Sequence, residues 1–276
     1  MQTITFVKMN GLGNDFVLID AIKSGLEPEV NVIKSIANRH LGVGCDQVLW
    51  LQSAPAGIKY RIFNPDGTEV AQCGNGARCV GHYMAKAHGY NAWPLQLNTC
   101  AGQKLLVSQA NAQEFTVSMG AAQIIDHKAF VMFAGYELSF QALDIGNPHA
   151  IFWLEQPVAE FDLLALGSAM QQHKLFPEGV NVSIVNRLAD DAVKVRVFER
   201  GAEETLACGS AACAVAASGY EQGILHGQVK VEMPGGQLLV SQKDGCLQQT
   251  GPVNWVFVGT WCQRQQSQDV FYFDVD

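Results

Sequence analysis

The chain has 276 residues, of which 48% are apolar and 16% are charged, and its formal net charge is −8 at pH 7. This length suits two domains of ordinary size better than a single core. The negative charge argues against nucleic acid or an anionic membrane as a partner, because both bind clustered Lys and Arg residues. A site for an acidic ligand must therefore be built locally, from individual arginines and backbone amides.

Eight cysteines could form a disulfide framework, but such frameworks are typical of short secreted chains. The N-terminal segment lacks a basic region followed by an apolar core, which a signal peptide would have. No apolar run approaches the ~20 residues that a membrane span needs. The sequence therefore predicts a cytoplasmic protein whose thiols are reduced.

Short strands separated by glycine turns dominate the chain, with a few helices between them. In the first half, the pattern predicts strands at residues 3–7, 16–20, 47–52, 59–63, 95–97, 104–107 and 114–119, and helices at 29–38 and 77–86. The second half repeats this order, with strands at 137–144, 151–154, 182–186, 193–198, 229–233 and 237–241, a helix at 161–173 and a small-residue helix that ends near Gly219.

The two halves are also related residue by residue. At an offset of 135, the separation of Cys73 from Cys208, identical residues coincide at Lys59/Lys194, Arg61/Arg196, Phe63/Phe198, Glu69/Glu204 and Gly74/Gly209. At an offset of 133, Gly13-Asn14 coincides with Gly146-Asn147. Near-constant offsets over most of the chain indicate an internal duplication. We expect two homologous halves that face each other across a cleft, divided into residues 1–119 and 120–262, with residues 263–276 joining the first.

The duplication places two cysteines at equivalent positions. Cys73 precedes Gly-Asn-Gly and a predicted helix, and Cys208 precedes Gly-Ser and the corresponding helix. The free N–H groups and the dipole of a helix start favour a thiolate, so we expect both thiols to be poised near neutrality. A thiolate on one wall of the cleft and a thiol on the other can remove a proton from one face of a carbon and return one to the other. The pattern therefore predicts a racemase or epimerase.

This chemistry is expected to need no cofactor and no metal. The chain shows no phosphate-cradling pattern and no lysine that stands out as a Schiff-base candidate, which argues against pyridoxal phosphate. The negative charge that develops at the α-carbon would instead be stabilised by fixed dipoles and by closure of the domains around the substrate. The amides of Gly74-Asn75 and Gly209-Ser210, at the helix starts, are candidates for binding its carboxylate.

Several longer motifs resemble one enzyme family. They are Asn10-Gly-Leu-Gly-Asn-Asp-Phe16, His40-Leu-Gly-Val-Gly-Cys-Asp-Gln47, Tyr60-Arg-Ile-Phe-Asn-Pro-Asp-Gly67, Glu69-Val-Ala-Gln-Cys-Gly-Asn-Gly-Ala-Arg-Cys79, Gly146-Asn-Pro-His149, and Glu199-Arg-Gly-Ala202 with Ala207-Cys-Gly-Ser210. Over residues 1 to about 261 the chain is similar to diaminopimelate epimerases. The resemblance implies cofactor-free conversion of LL- to meso-diaminopimelate in lysine and peptidoglycan-precursor synthesis. It also implies an α+β fold of two pseudo-twofold-related domains, each a mainly antiparallel sheet wrapped around a central helix, with the active site between them.

The resemblance also implies roles for individual residues. Cys73 and Cys208 match the catalytic thiols of the family, and His149 and Glu199 match residues that tune them. The residues that match substrate-holding positions of the family are Asn14, Gln47, Asn64, Gly74, Asn75, Asn147, Asn181, Glu199, Arg200, Gly209 and Ser210. The implied partners are a small-molecule substrate, diaminopimelate, and a second copy of the chain in a homodimer.

Two residues depart from the family pattern near the second thiol. Glu203 stands where the family commonly has glycine, and Ala211 replaces a second glycine. If residue 203 needs a backbone angle that only glycine adopts freely, the loop that carries Glu199 and Arg200 would be displaced. Ala211 should be tolerated inside a helix.

Other functions remain open at this stage. A proline-racemase-like enzyme would also use paired cysteines on this fold, and a relative that has lost catalysis is a third alternative. A four-cysteine zinc module is a rival from another class, but the spacings from Cys73 to Cys79 and from Cys208 to Cys213 are not those of zinc knuckles. Cys79 and Cys213 are predicted to lie in the core, and Arg78 and Arg196 to form structural ion pairs.

Overall fold

The computed structural model describes residues 3–262, which form eighteen strands and four α-helices. The predicted extension at residues 263–276 lies outside the described residues. The first half contains β1 (Thr3–Gly11), β2 (Asn14–Asp20), α1 (Val30–Ala37), β3 (Gln47–Ser53), β4 (Ile58–Phe63), β5 (Glu69–Val70), α2 (Gly74–His88), β6 (Leu95–Asn98), β7 (Lys104–Gln109) and β8 (Glu114–Gly120).

The second half repeats these elements in the same order. It contains β9 (Gln123–Phe133), β10 (Tyr136–Asp144), β11 (Pro148–Trp153), a 3-10 turn (Val158–Glu160), α3 (Leu163–Met170), β12 (Asn181–Ala189), β13 (Ala192–Glu199), β14 (Glu203–Thr205), α4 (Gly209–Glu221), β15 (Val229–Met233), β16 (Gly236–Lys243) and β17 (Cys246–Pro252), followed by β18 (Asn254–Cys262).

Strand pairing is the same in both halves. In the first, the order is β18, β1, β2, β3, β4, β6, β7, β8, with β5 also paired to β4. In the second it is β9, β10, β11, β12, β13, β15, β16, β17, with β14 paired to β13. Among the described strands, four pairs are parallel. They are β2–β3 and β4–β6 in the first half, and β11–β12 and β13–β15 in the second. The predicted pair of mainly antiparallel sheets is confirmed.

An approximate twofold axis relates the halves, and it passes through the ladder that joins them. Strands β8 and β17 are antiparallel partners, and Thr116 lies opposite Thr250 with 2.7 Å between the hydroxyl oxygens. Ion pairs obey the same symmetry. Arg61 binds Glu69 through two hydrogen bonds of 2.8 and 2.7 Å. Its counterpart Arg196 binds Glu204 through two of 2.7 and 2.8 Å, so the ion pair predicted for Arg196 is present.

Each sheet holds a long helix on one face and a short helix on the other. α2 packs against β1, β2, β7 and β8, and α4 against β10, β11, β12, β16 and β17. The two long helices share one continuous core, whereas α1 and α3 each cover a separate apolar cluster. Within residues 3–262, no helix has the length and apolar character needed to cross a membrane.

The strand that follows the sheet strands of each half in the chain, β9 or β18, pairs with the first strand of the other half. β9 follows β8 of the first half but pairs with β10, and β18 follows β17 of the second half but pairs with β1. The predicted division placed residues 254–262 with the second domain, although β18 pairs with β1 of the first half. The division, with its boundary at residues 119 and 120, remains a prediction.

Candidate active site

Cys73 caps the start of α2. Its backbone is extended, with φ −149° and ψ 109°, and its Sγ accepts the N–H of Gly76 at 3.4 Å. Small residues make this geometry possible, because a Cβ at Gly76 would overlap the hydroxyl of Tyr60. That hydroxyl donates to the carbonyl of Cys73 at 3.1 Å and fixes the loop. The N–H groups of Gly74 and Asn75 belong to the first turn, where a helix offers no acceptor of its own.

Cys208 occupies the equivalent N-cap position of α4, but its side chain makes no capping hydrogen bond. Its backbone is extended, with φ −129° and ψ 117°, and its Sγ lies 3.4 Å from the hydroxyl oxygen of Ser210. Only 6% of its surface is exposed, whereas Cys73 is half-buried. Both cysteines are free thiols. Gly209 and Ser210 supply the first-turn amides, as the sequence predicted.

The two helix starts meet beneath the site. The side-chain amide of Asn75 donates to the carbonyl of Ala207 at 3.3 Å, which ties the first residues of α2 to the residue before Cys208. Gln249 of β17 lies between the helices, because a Cβ at either Gly74 or Gly209 would overlap its side-chain amide. The two equivalent cysteine loops therefore lie close together. The constant offset between the two halves of the sequence had only suggested this.

The expectation that helix position poises both thiols near neutrality was wrong. Burial raises the pKa of Cys73 to about 11, and Glu199 raises it further, although the Gly76 amide and Arg78 act in the opposite direction. Burial and then the Glu199 carboxylate raise the pKa of Cys208 well above its ordinary value. Helix dipoles act here, but removal from water has the larger effect on a thiolate.

Glu199 lies at the end of β13, beside the second thiol. Its Oε1 accepts the hydroxyl of Thr205 at 2.5 Å, and its carboxylate is within hydrogen-bond reach of Cys208. Burial raises the pKa of Glu199, and the hydrogen bonds from Thr205 and Cys208 oppose that rise. The arrangement places a carboxylate near the Cys208 thiol, whose Sγ contacts the Ser210 hydroxyl.

His149 is completely buried and does not carry a charge. Burial, together with the nearby Arg200, lowers the pKa of His149 to about 3. Its Nε2 lies 3.0 Å from Oδ1 of Asn147, so the neutral ring donates there. The side-chain amide of Asn147 in turn lies 3.5 Å from the Ser210 hydroxyl, next to Cys208. The role of His149 in tuning a thiol stays a prediction, and the contacts give it a route to Cys208 through these two residues.

The side chains of the first half that were predicted to hold the substrate make specific polar contacts. Oδ1 of Asn14 faces Cys73 Sγ at 3.8 Å, because its amide nitrogen is held by Asp46 at 3.0 Å. Gln47 donates to Oδ1 of Asn64 at 3.2 Å, while Oε1 of Gln47 is buried without a protein partner, as a site for an ammonium donor would be. 

On the opposite wall, Asn181 accepts the backbone N–H of Arg200 at 3.0 Å through Oδ1. This bond fixes the loop that carries Arg200. The guanidinium of Arg200 is exposed, and its Nη1 donates to the carbonyl of Glu178 at 3.2 Å. The remaining donors of that guanidinium fork are geometrically suited to a carboxylate.

Glu203 adopts the backbone conformation that the sequence comparison with the family suggested. Its φ is +58°, in the left-handed region, and it pairs directly with Glu199 across β13 and β14. A non-glycine residue in this conformation carries backbone strain. Here the strained residue lies on β14, directly opposite Glu199 on β13. Ala211 lies buried inside the first turn of α4 and fits there, as expected.

Substitution at residue 203 should reveal this strain. We expect Glu203→Gly to have a higher free energy of unfolding than Glu203→Ala, by roughly 1 kcal/mol, because only glycine adopts a positive φ without a steric penalty. Urea unfolding of both variants measures the difference. The matched pair Glu204→Gly and Glu204→Ala should show the opposite order, and the same order at both positions would contradict the interpretation.

Several residues of the site were missed or misassigned from sequence. Arg78 was expected to form an ion pair, but it contacts the amide oxygens of Asn75 and Gln249, each at 2.9 Å. Gln249 could have been found from one signal. Buried and partly buried residues alternate along β17, and Gln249 is a polar residue at one of the buried positions. Thr205 gave no such signal. Cys79 and Cys213 lie in the core, as predicted.

Comparison with known sequences identifies the family. The family model described as diaminopimelate epimerase matches residues 6–125 and 141–256. The chain belongs to the diaminopimelate epimerase family. It is 39% identical to the diaminopimelate epimerase of Thioalkalivibrio sulfidiphilus, with 93% of this chain and 98% of that protein covered. The enzyme of the same name from Teredinibacter turnerae is 38% identical, with the same coverage of both chains. The predicted family is confirmed.

Solved structures share the fold at low sequence identity. A hydroxyproline epimerase from Agrobacterium vitis superposes with a TM-score of 0.72 at 16% identity, over 94% of this chain and 92% of that one. A PhzF-family phenazine biosynthesis protein from Bacillus anthracis has a TM-score of 0.73 at 17% identity, with 95% of this chain and all of that one covered. These likenesses confirm the predicted two-domain α+β fold and carry no argument about the substrate.

Proposed function

We propose that this protein epimerises LL-diaminopimelate to meso-diaminopimelate without a cofactor, with Cys73 and Cys208 as the acid-base pair. The observation that carries the proposal is the meeting of two equivalent cysteine-capped helix starts in one shielded site. Membership of the diaminopimelate epimerase family, together with the names of its relatives, supports this substrate. The proposal includes action in the cytoplasm and assembly as a homodimer, both expected from sequence.

The chemistry needs one thiolate and one thiol on opposite faces of the α-carbon. The thiolate removes the α-proton, and the opposite thiol delivers its own proton to the other face, which inverts the centre. The substrate carboxylate binds the amides at Gly74-Asn75 or Gly209-Ser210, where backbone N–H groups and helix dipoles stabilise the charge that develops. The two thiols exchange roles in the reverse direction.

Burial of the thiols has two consequences for this reaction. It makes each thiolate a strong base, which suits a weakly acidic α-proton. It also requires the substrate to help ionise the site, because the α-ammonium group brings positive charge beside a thiolate. The amide oxygens of Asn14, Gln47 and Asn64 can accept from ammonium groups, and Arg200 can bind a carboxylate. A diamino diacid presents both kinds of group at each end.

Hydrogen exchange tests the substrate directly. LL-diaminopimelate incubated with the purified protein in heavy water should acquire deuterium at an α-position and yield the meso isomer, as measured by mass spectrometry and chiral chromatography. Proline and 4-hydroxyproline serve as the comparison substrates. Exchange into proline with none into diaminopimelate would favour a proline-racemase-like activity and overturn the proposal, and absence of exchange into all three would indicate a relative that has lost catalysis.

A further inference from the structure

Arg78 is a fully buried cation with only neutral hydrogen-bond partners. It lies in α2, one turn beyond the cap at Cys73, and none of its surface is exposed. Within residues 3–262, its two terminal nitrogens donate to amide oxygens of Gln249 and Asn75, and its Nε has no partner. Removing a guanidinium from water is strongly unfavourable unless an anion compensates it. A compensating anion is therefore to be sought nearby.

The position of Arg78 makes its charge harder to explain as structural. A cation in the first turns of a helix opposes the helix dipole. The symmetry-related position in α4 is Cys213, so only the first half carries this charge. Elsewhere the chain does supply carboxylates to comparable arginines, because Arg61 and Arg196 each bind a glutamate through two hydrogen bonds.

The titratable groups around Arg78 are three thiols, Cys73, Cys79 and Cys213. Burial raises the pKa of both Cys79 and Cys213 to about 12, and both are enclosed in the core. Cys73 alone opens toward the cleft. The charged and titratable groups found near Cys73 among the described residues are Arg78, the Glu199 carboxylate, the Tyr60 phenol and the Cys79 thiol.

The two thiols consequently have unlike surroundings despite the symmetry of the backbone. A cation on its own helix acts on Cys73, whereas within the described part of the chain none is found to act on Cys208, whose pKa is raised by the Glu199 carboxylate. We propose that Arg78 is a positioning residue that makes Cys73, rather than Cys208, the thiolate of the resting enzyme. This inference rests on the proposed function. Arg78 acts through its charge and through its hydrogen bonds, which fix Asn75 against the Cys208 loop and Gln249 between the two helix starts. Arg78 acts to lower the pKa of Cys73, against the larger effect of burial and the opposing charge of Glu199.

Alkylation of individual thiols tests the inference without any substrate. Iodoacetamide modification of Cys73 and Cys208 is followed by peptide mass spectrometry across the pH range of thiol ionisation. In the unmodified protein, we expect Cys73 to react with a lower midpoint pH than Cys208. Arg78→Met should raise the Cys73 midpoint by roughly one to two pH units, because the variant loses a nearby positive charge that favours the thiolate. Arg78→Lys should keep it close to the original value.

A second variant separates charge from folding. Gln249→Glu retains Arg78 and nearly the same side-chain shape, but gives the guanidinium a carboxylate, so it should also raise the Cys73 midpoint. Circular dichroism establishes which variants fold. A lower midpoint for Cys208 in the unmodified protein, or an unchanged Cys73 midpoint in a folded Arg78→Met or Gln249→Glu variant, would overturn the inference. Alkylation requires no turnover, so the two failures are distinguishable: a protein inactive on diaminopimelate with an Arg78-dependent Cys73 midpoint would refute the proposed function but not the effect of Arg78 on the Cys73 thiol.

Discussion

Replacement of either Cys73 or Cys208 by alanine should abolish epimerisation of diaminopimelate in both directions. Each thiol is the only proton carrier that the proposed mechanism places on its face of the α-carbon, so the remaining thiol can remove a proton but cannot complete inversion. General acid-base groups contribute about 10²–10⁴ in rate, and each single variant should lose at least that much. Formation of the meso isomer from the LL isomer, measured by chiral chromatography, reports the loss.

The chain provides matched controls for these two variants. Cys79 lies six positions after Cys73 in α2, and Cys213 lies five after Cys208 in α4, both buried in the core. Cys79→Ala and Cys213→Ala therefore remove the same chemical group from the same helices without touching the cleft, and they should remain active. A Cys73→Ala or Cys208→Ala variant that epimerises within tenfold of the unmodified rate would refute the two-thiol mechanism.

Glu199→Gln should lower kcat by about 10²-fold, within the range of a general acid-base group. The carboxylate of Glu199 lies near the Cys208 thiol, and its negative charge raises the pKa of Cys208. A neutral amide keeps the shape and can still accept the Thr205 hydroxyl, but it no longer favours the protonated form of Cys208. The midpoint pH for alkylation of Cys208 should therefore fall in this variant while the rate of epimerisation decreases.

Glu204→Gln is the control for Glu199→Gln. Glu204 is close in sequence but binds Arg196, away from the thiols. Its replacement removes a partly exposed ion pair, which contributes no more than about 1 kcal/mol to stability, and should leave kcat and the Cys208 midpoint unchanged. If the Cys208 midpoint rises in Glu199→Gln, or stays fixed while kcat falls, Glu199 acts on catalysis by some route other than the charge on this thiol.

The sequence was sufficient to predict the duplicated fold, because the repeat preserves both the order of the elements and the identities at Cys73 and Cys208. It was insufficient for β9, β17 and β18. β9 and β18 are edge strands, and an edge strand has the same alternating pattern whichever sheet it joins, whereas β17 is an interior strand between β16 and β8. In each case the partner is decided by tertiary contacts. The helix starts were predicted correctly, but the direction of the thiol pKa shifts was not. That direction depends on burial, which arises only when both halves are in place.

The polar contacts beneath the site illustrate the same limit. Arg78 reads in sequence as an ordinary helical arginine, and an ion pair is the usual expectation for one. Its actual partner, Gln249, comes from the other half of the chain and is separated from it by 171 residues. No local pattern encodes such a contact, since it depends on how the two long helices and β17 meet in three dimensions.

The exchange of last strands described for β9 and β18 bears on the origin of this chain. Taken as consecutive repeats, residues 3–133 end with a strand that completes the sheet of the next repeat, and residues 136–262 end with a strand that completes the sheet of the first. Two separate copies that exchanged their C-terminal strands would form the same arrangement, a domain-swapped dimer. The present chain corresponds to such a dimer joined into a single polypeptide. Fusion is what allows its two cleft walls to carry different residues, such as Arg78 on one side and Glu199 on the other.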